Sequence, residues 1–162
     1  MSTTYQSQSE LSTDAHLDLL SICSTKSEHP NELSPLLRAA SWGFEEIVDK
    51  LIWGGADLTE SDGNGETALH KAARFSQFPV ALRLLRAGVS IDALDSLGMT
   101  PLHWTALNGH AQLTRLLLIH QADPTILDYY AGGMTPAEMA QLMGHDVILD
   151  LLERYKRTSK VH

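Results

Sequence analysis

Residues 99–110 read MTPLHWTALNGH, and the meaning of this stretch decides the fold. Two histidines, a threonine and an asparagine in an apolar run would suggest a chemical site if they occurred once. They are structural punctuation if the pattern recurs, and it does. Ser34-Pro35-Leu36-Leu37, Thr67-Ala68-Leu69-His70, Thr100-Pro101-Leu102-His103 and Thr135-Pro136-Ala137-Glu138 are four versions of one tetrapeptide, spaced 33, 33 and 35 residues apart. A fixed period of this size marks a repeat architecture. Nine residues after each anchor come Gly43, Ser76, Gly109 and Gly144; seventeen after it come Leu51, Leu84, Leu117 and Leu152.

Each copy has the grammar of two short helices. Threonine or serine before proline caps a helix start, and proline in the first turn loses no hydrogen bond. Glycine nine residues on can take the positive φ that ends the helix. Ser76 breaks that rule, so its turn is expected to differ slightly. Second helices follow with apolar residues at helical spacing: Ile47, Val48, Leu51 and Ile52 in the first copy, Leu113, Leu116 and Leu117 in the third. Helices of about eight residues are marginal alone, and no copy can bury its apolar face without a neighbour. Ala39-Ala40, Ala72-Ala73 and Ala106 let paired helices approach closely.

The sequence resembles the ankyrin repeat family. TPLH at Thr100–His103, TALHKAA at Thr67–Ala73, GGADL at Gly54–Leu58, Gly109-His110 and Gly144-His145 carry the resemblance, which covers about residues 31–157. It implies an all-α solenoid of four helix–turn–helix units with connecting β-hairpin loops, the repeats running about 31–61, 62–94, 95–127 and 128–157. In the last copy Gln141 replaces the alanine and Glu153 the aliphatic residue of the other stacking positions, as a solvent-facing cap requires. Residues 1–12 are rich in Ser, Thr and Gln and are expected to be disordered, Leu17, Leu19, Leu20 and Ile22 could form one capping helix within 13–30, and 158–162 read as a frayed basic tail.

Composition narrows the function. The 162 residues carry a formal charge of −8, which disfavours a phosphate backbone as partner. The charge is uneven: residues 1–70 hold 12 acids and 3 bases, residues 71–162 hold 8 acids and 9 bases. An acidic half can steer toward a basic surface or serve only as a solvated face. One cysteine, Cys23, permits no intrachain disulfide and fits a reducing compartment. The opening residues lack the basic-then-apolar order of a secretory signal, and no 18-residue apolar run is present. A cytoplasmic or nuclear protein, monomeric on its own and without membrane or nucleic-acid partner, is therefore expected.

His70 and His103 recur with the period, so they are read as bridges between backbone and threonine groups, not as catalysts or metal ligands. No nucleophile elbow, Walker loop, dinucleotide fingerprint or calcium-loop spacing occurs. No cofactor, metal or catalytic residue is expected, and the chain is read as a non-enzyme.

The resemblance implies that hairpin tips and first helices form a concave strip that binds another protein. The period places Trp42, Arg74, Phe75, Leu107, Asn108, Leu142 and Met143 on that strip, with Met99 and Met134 one residue before their anchors. Leu97, Tyr129 and Tyr130 belong to hairpin tips, and Trp104 to the inner edge. Most are apolar where polar residues would serve stacking equally well; such a patch marks an interaction site, unless the side chains fold down onto neighbouring hairpins. The two extra residues of the last spacing fall in 128–133 and lengthen that hairpin, either to grip a partner or as a tolerated insertion. An adaptor or inhibitor follows as the functional reading. The alternative is a regulatory or substrate-recruiting subunit of a larger enzyme such as a ubiquitin ligase, docked through residues 13–24 or the tail.

Overall fold

Thr100 opens its helix as the sequence requires. Its hydroxyl accepts the His103 N–H, and the His103 side chain accepts the Thr100 N–H in return, a reciprocal cap that Thr135 and Glu138 repeat. In this computed structural model, residues 33–129 and 132–159 are described; the expected N-terminal cap helix lies outside them. The helices are α1 Pro35–Trp42, α2 Glu45–Trp53, α3 Ala68–Arg74, α4 Phe78–Arg86, α5 Pro101–Asn108, α6 Ala111–Ile119, α7 Pro136–Leu142 and α8 Asp146–Ser159.

Odd and even helices form two parallel rows. Each odd helix packs on the next odd helix, and each even helix on the next even one. The odd row is the more tightly packed, because Ala40, Ala72, Ala106 and Ala140 at its seams are fully buried and add almost no bulk. A row that is tighter on one side curves toward that side, so the odd helices line the concave face. One continuous core runs through all four units, from Leu36 and Val48 through Leu69, Leu84, Leu102 and Leu117 to Ile148 and Leu152. Each fully buried leucine contributes about 1.5–3 kcal/mol by leaving water.

Gly109 ends α5 at φ 80°, and the His145 ring of the next unit packs where a Cβ would stand. Ser76 meets the same demand differently from expectation: it adopts the left-handed conformation itself, at φ 59°, so the turn is conserved and the serine is strained. The connecting hairpins carry little ladder pairing. Among the described residues one antiparallel bridge, Ser61 to Thr67, occurs, and side chains do most of the holding. Asp62, Asp95 and Asp128 each accept backbone N–H groups across their own turn: Asn64 and Glu66, Leu97 and Met99, Gly133 and Met134. Adjacent hairpins are also stitched together, with Ser96 N–H donating to Asn64 O at 2.9 Å and Tyr129 N–H to Leu97 O at 2.8 Å. The last hairpin is longer, its closing bond running from Asp128 N–H to Met134 O where the preceding one runs from Asp95 N–H to Met99 O.

Candidate functional site

The repeated histidines are consumed by the stack. His70 Nδ1 accepts from Thr67 N–H at 3.1 Å and Oγ1 at 2.9 Å, while Nε2–H donates to Met99 O of the next unit at 3.0 Å. His103 makes the same set with Thr100 and Met134 O. Burial pushes both imidazoles below the ordinary histidine range, against the opposing pull of those carbonyls and of Asp95 and its neighbours. Both are therefore neutral at pH 7, as the bridging tautomer needs. In the terminal unit, where no further carbonyl waits, Glu138 takes the position and only caps its own helix. A second row of bridges lies nearer the concave surface: Gln77 to Ser41 O, His110 to Arg74 O and His145 to Leu107 O, at 3.1, 3.2 and 3.2 Å.

The strip above those bridges is mostly open. Trp42 is 60% exposed, Phe75 49% and Leu142 68%, and Met143, Asn108, Leu97 and Tyr129 are exposed with them. These are ends of odd helices and tips of hairpins, so one face gathers them. Trp42 is steadied by an edge-on contact with Phe44, their ring centres 5.7 Å apart. Phe44 is half on this surface and was not among the expected residues. Arg74, Leu107 and Met134 are partly covered, and Tyr130 lies outside the described residues.

Two expected strip residues are buried instead. Met99 is 4% and Trp104 8% exposed, and together with Ala73 and Met139 they form a small apolar cluster under the strip, with Leu107 against it. Trp104 has a reason to turn inward: its indole N–H donates to Asp95 at 2.9 Å, and the Arg74 guanidinium covers its face at 4.7 Å. Met99 is held by its own N–H on Asp95 and its carbonyl on His70. They support the surface and do not present it.

Next to this cluster lies a buried charge network that the sequence reading missed. The Lys71 ammonium bonds Glu66 and Asp62, the latter at 2.6 Å, and Arg74 bonds the other Glu66 oxygen at 2.8 Å. Burial pushes the Asp62 carboxyl up, but Lys71 and the N–H groups of Glu66 and Asn64 outweigh it and hold it below its usual value. Arg74 is thereby fixed between Trp104 and the Phe75 ring, 5.6 Å from the latter's centre, with part of its guanidinium open to solvent. An acid five residues before the anchor in two copies, Asp62 and Asp95, was the available signal for the hairpin clamps. Among the described residues no group of three His, Cys, Asp or Glu side chains is placed to hold a metal ion. No helix there is long and apolar enough to cross a membrane.

Repeated two-helix layers with reciprocal anchor bridges and a curved inner row define a helical-repeat interaction scaffold. The chain belongs to the ankyrin repeat family: the model of ankyrin repeats (3 copies) matches residues 12–95 and 76–161. Relatives include an ankyrin repeat protein of Rickettsia bellii, 32% identical over 119 residues, which cover 72% of this chain and 65% of that protein. The E3 ubiquitin-protein ligase XBAT33 of Arabidopsis thaliana is 42% identical over 86 residues, 52% of this chain and 17% of the ligase. Ankyrin repeat and SOCS box protein 16 of Mus musculus is 35% identical over 118 residues, 68% of this chain and 26% of that protein. The chain thus spans less than two thirds of the length of each of these relatives, and well under a third of the ligase and the SOCS box protein. Ankyrin repeats imply protein–protein interaction.

Proposed function

We propose that this chain is a non-enzymatic adaptor or inhibitor that binds a partner protein through its concave strip, in the cytoplasm or nucleus. One observation carries the reading: large apolar side chains stay open to water in the same phase at the ends of three of the four inner helices, with Asn108 in the remaining one. Trp42, Phe75 and Met143 are equivalent by the period, and Leu142 sits beside them. Stacking does not need them, since the bridges and cluster below already close the seams. Such patches on soluble proteins mark binding surfaces, and aromatic, methionine and arginine side chains are typical of interface cores.

Photo-crosslinking tests this. A benzoylphenylalanine placed at Asn108 should trap one dominant partner in cells, and Trp42→Ala with Phe75→Ala should remove that product while the melting temperature stays within a few degrees. The same product at equal yield from the double variant would refute the strip. A second reading, recruitment of substrates to a ubiquitin ligase, is favoured by the ligase and SOCS-box names of two relatives. It requires a docking element outside the repeats; deletion of residues 1–32 should then abolish ligase association and leave the crosslink at Asn108 intact.

A further inference from the structure

The even helices form the outer face, and there the units differ. Between α2 and α4 the seam is closed by charge: Arg83 bonds Glu45 at 2.7 Å and reaches Asp49 at 3.3 Å. Beyond α4 no such ion pair joins the even helices among the described residues. An open groove of about 520 Å³ runs across α4, α6 and α8, lined by Phe78, Ala111, Gln112, Arg115, Val147 and Leu151. A second hollow of about 220 Å³, sharing Arg115 and Leu151, extends it past Leu118 and Ile119 toward Tyr155. Glu46, Asp49 and Lys50 are charged on α2, whereas Pro79 in α4, Ile119 in α6 and Val147 in α8 are apolar and exposed, as is Trp53, the α2 residue in phase with Ile119. Ile119 is 69% and Val147 66% exposed. Arg115 lines both hollows and makes no salt bridge with an acidic side chain of the described residues, whereas Arg154 in the second hollow is bonded to Asp150 at 2.8 Å.

We propose that this outer groove is a second docking surface, separate from the concave strip, for an amphipathic helix of a partner protein that carries acidic residues beside its apolar stripe. The apolar floor takes the stripe, and the Arg115 guanidinium, which lines both hollows, meets a carboxylate beside it. Three helix rows at about 8–10 Å spacing span roughly 20 Å, the length of about 14 helical residues. A chain that engages partners on two faces joins them, which gives the adaptor form of its activity a physical basis.

A defined probe tests the groove without knowledge of the natural partner. A 14-residue helical peptide with a leucine stripe flanked by glutamates is titrated into isotope-labelled protein, beside the same peptide with lysines for glutamates. The acidic peptide should bind at least tenfold more tightly and shift the amides of Gln112, Arg115, Val147 and Leu151. Arg115→Glu should invert the preference, and Val147→Asp should weaken the acidic peptide at least tenfold; both sites are exposed, so an unchanged circular-dichroism melt verifies the fold. Phe75→Ala should leave this binding unaltered, so failure of the concave strip and failure of the groove are told apart. Absence of saturable binding, equal affinity for both peptides, or shifts centred on Trp42 and Phe75 would overturn the proposal. So would tighter association with phosphatidylserine vesicles than with the peptide, or a dimer in sedimentation that Val147→Asp dissolves.

Discussion

His103→Ala should cost far more than the same truncation at the equivalent position of the last unit, and should damage the stack at one joint only. The imidazole is the acceptor for Thr100 N–H at 3.1 Å and the donor to Met134 O at 3.1 Å, and both His103 and Thr100 are completely buried. Without the ring, Thr100 N–H is stranded, a penalty of about 1–3 kcal/mol. Met134 O keeps the Asp128 N–H at 3.0 Å, so its loss is one ordinary bond, about 1 kcal/mol. The vacated ring space, only partly refilled, adds roughly 1–2 kcal/mol. The sum is about 3–6 kcal/mol. Glu138→Ala removes only an exposed capping carboxylate and strands no buried group, so it should cost clearly less. Because each layer touches only its neighbours, the damage should land between α5 and α7. Urea melts give the magnitude and native-state hydrogen exchange the location. Amides of Ile148 and Leu152 should lose protection first, while those of Leu69 and Leu84 keep theirs. Equal costs for the two variants, or a uniform loss of protection along the chain, would refute the bridging argument.

Other expectations follow from the same geometry. His70 and His103 have folded pKa values below the unfolded 6.5, so the unfolded chain binds more protons below that pH. Stability should be greatest above pH 6.5 and fall as acid is added, by at most about 1.4 kcal/mol per pH unit per histidine until the lowered folded-state pKa is passed, in melts between pH 7.5 and 5. Lys71→Met leaves Asp62 without its cation and Glu66 with Arg74 alone, and should destabilise by about 3 kcal/mol in urea; adding Asp62→Asn and Glu66→Leu should recover part of that loss. Ser76→Gly relieves a left-handed serine and should raise stability by up to about 1 kcal/mol, read as a higher melting temperature.

The fold was legible because stacking forces its pattern on every copy. Pro101, His103, Gly109 and Leu117 each have in-phase equivalents, and each does in the structure what its type predicts. Exposure on the inner face was only partly legible. Phe75, just past the end of α3, and Trp104, within α5, are both aromatic, yet one is open and the other covered. The difference lies in Asp95 and Arg74, which clamp the indole from two sides and are nine and thirty residues away in sequence. A periodic reading compares equivalent positions; it does not see which neighbours reach across units. The Lys71 network escaped for the same reason, since each of its members looks alone like a solvated charge. The outer groove was not legible in the sequence, because its walls come from three different helices.

The fourth layer shows Gln141 and Glu153 to water where its predecessors bury Ala106 and Leu118. A chain severed before α7 would leave Leu102, Ala106 and Leu117 on a raw oily flank with nothing to shelter it. Such fragments would be driven to clump with one another.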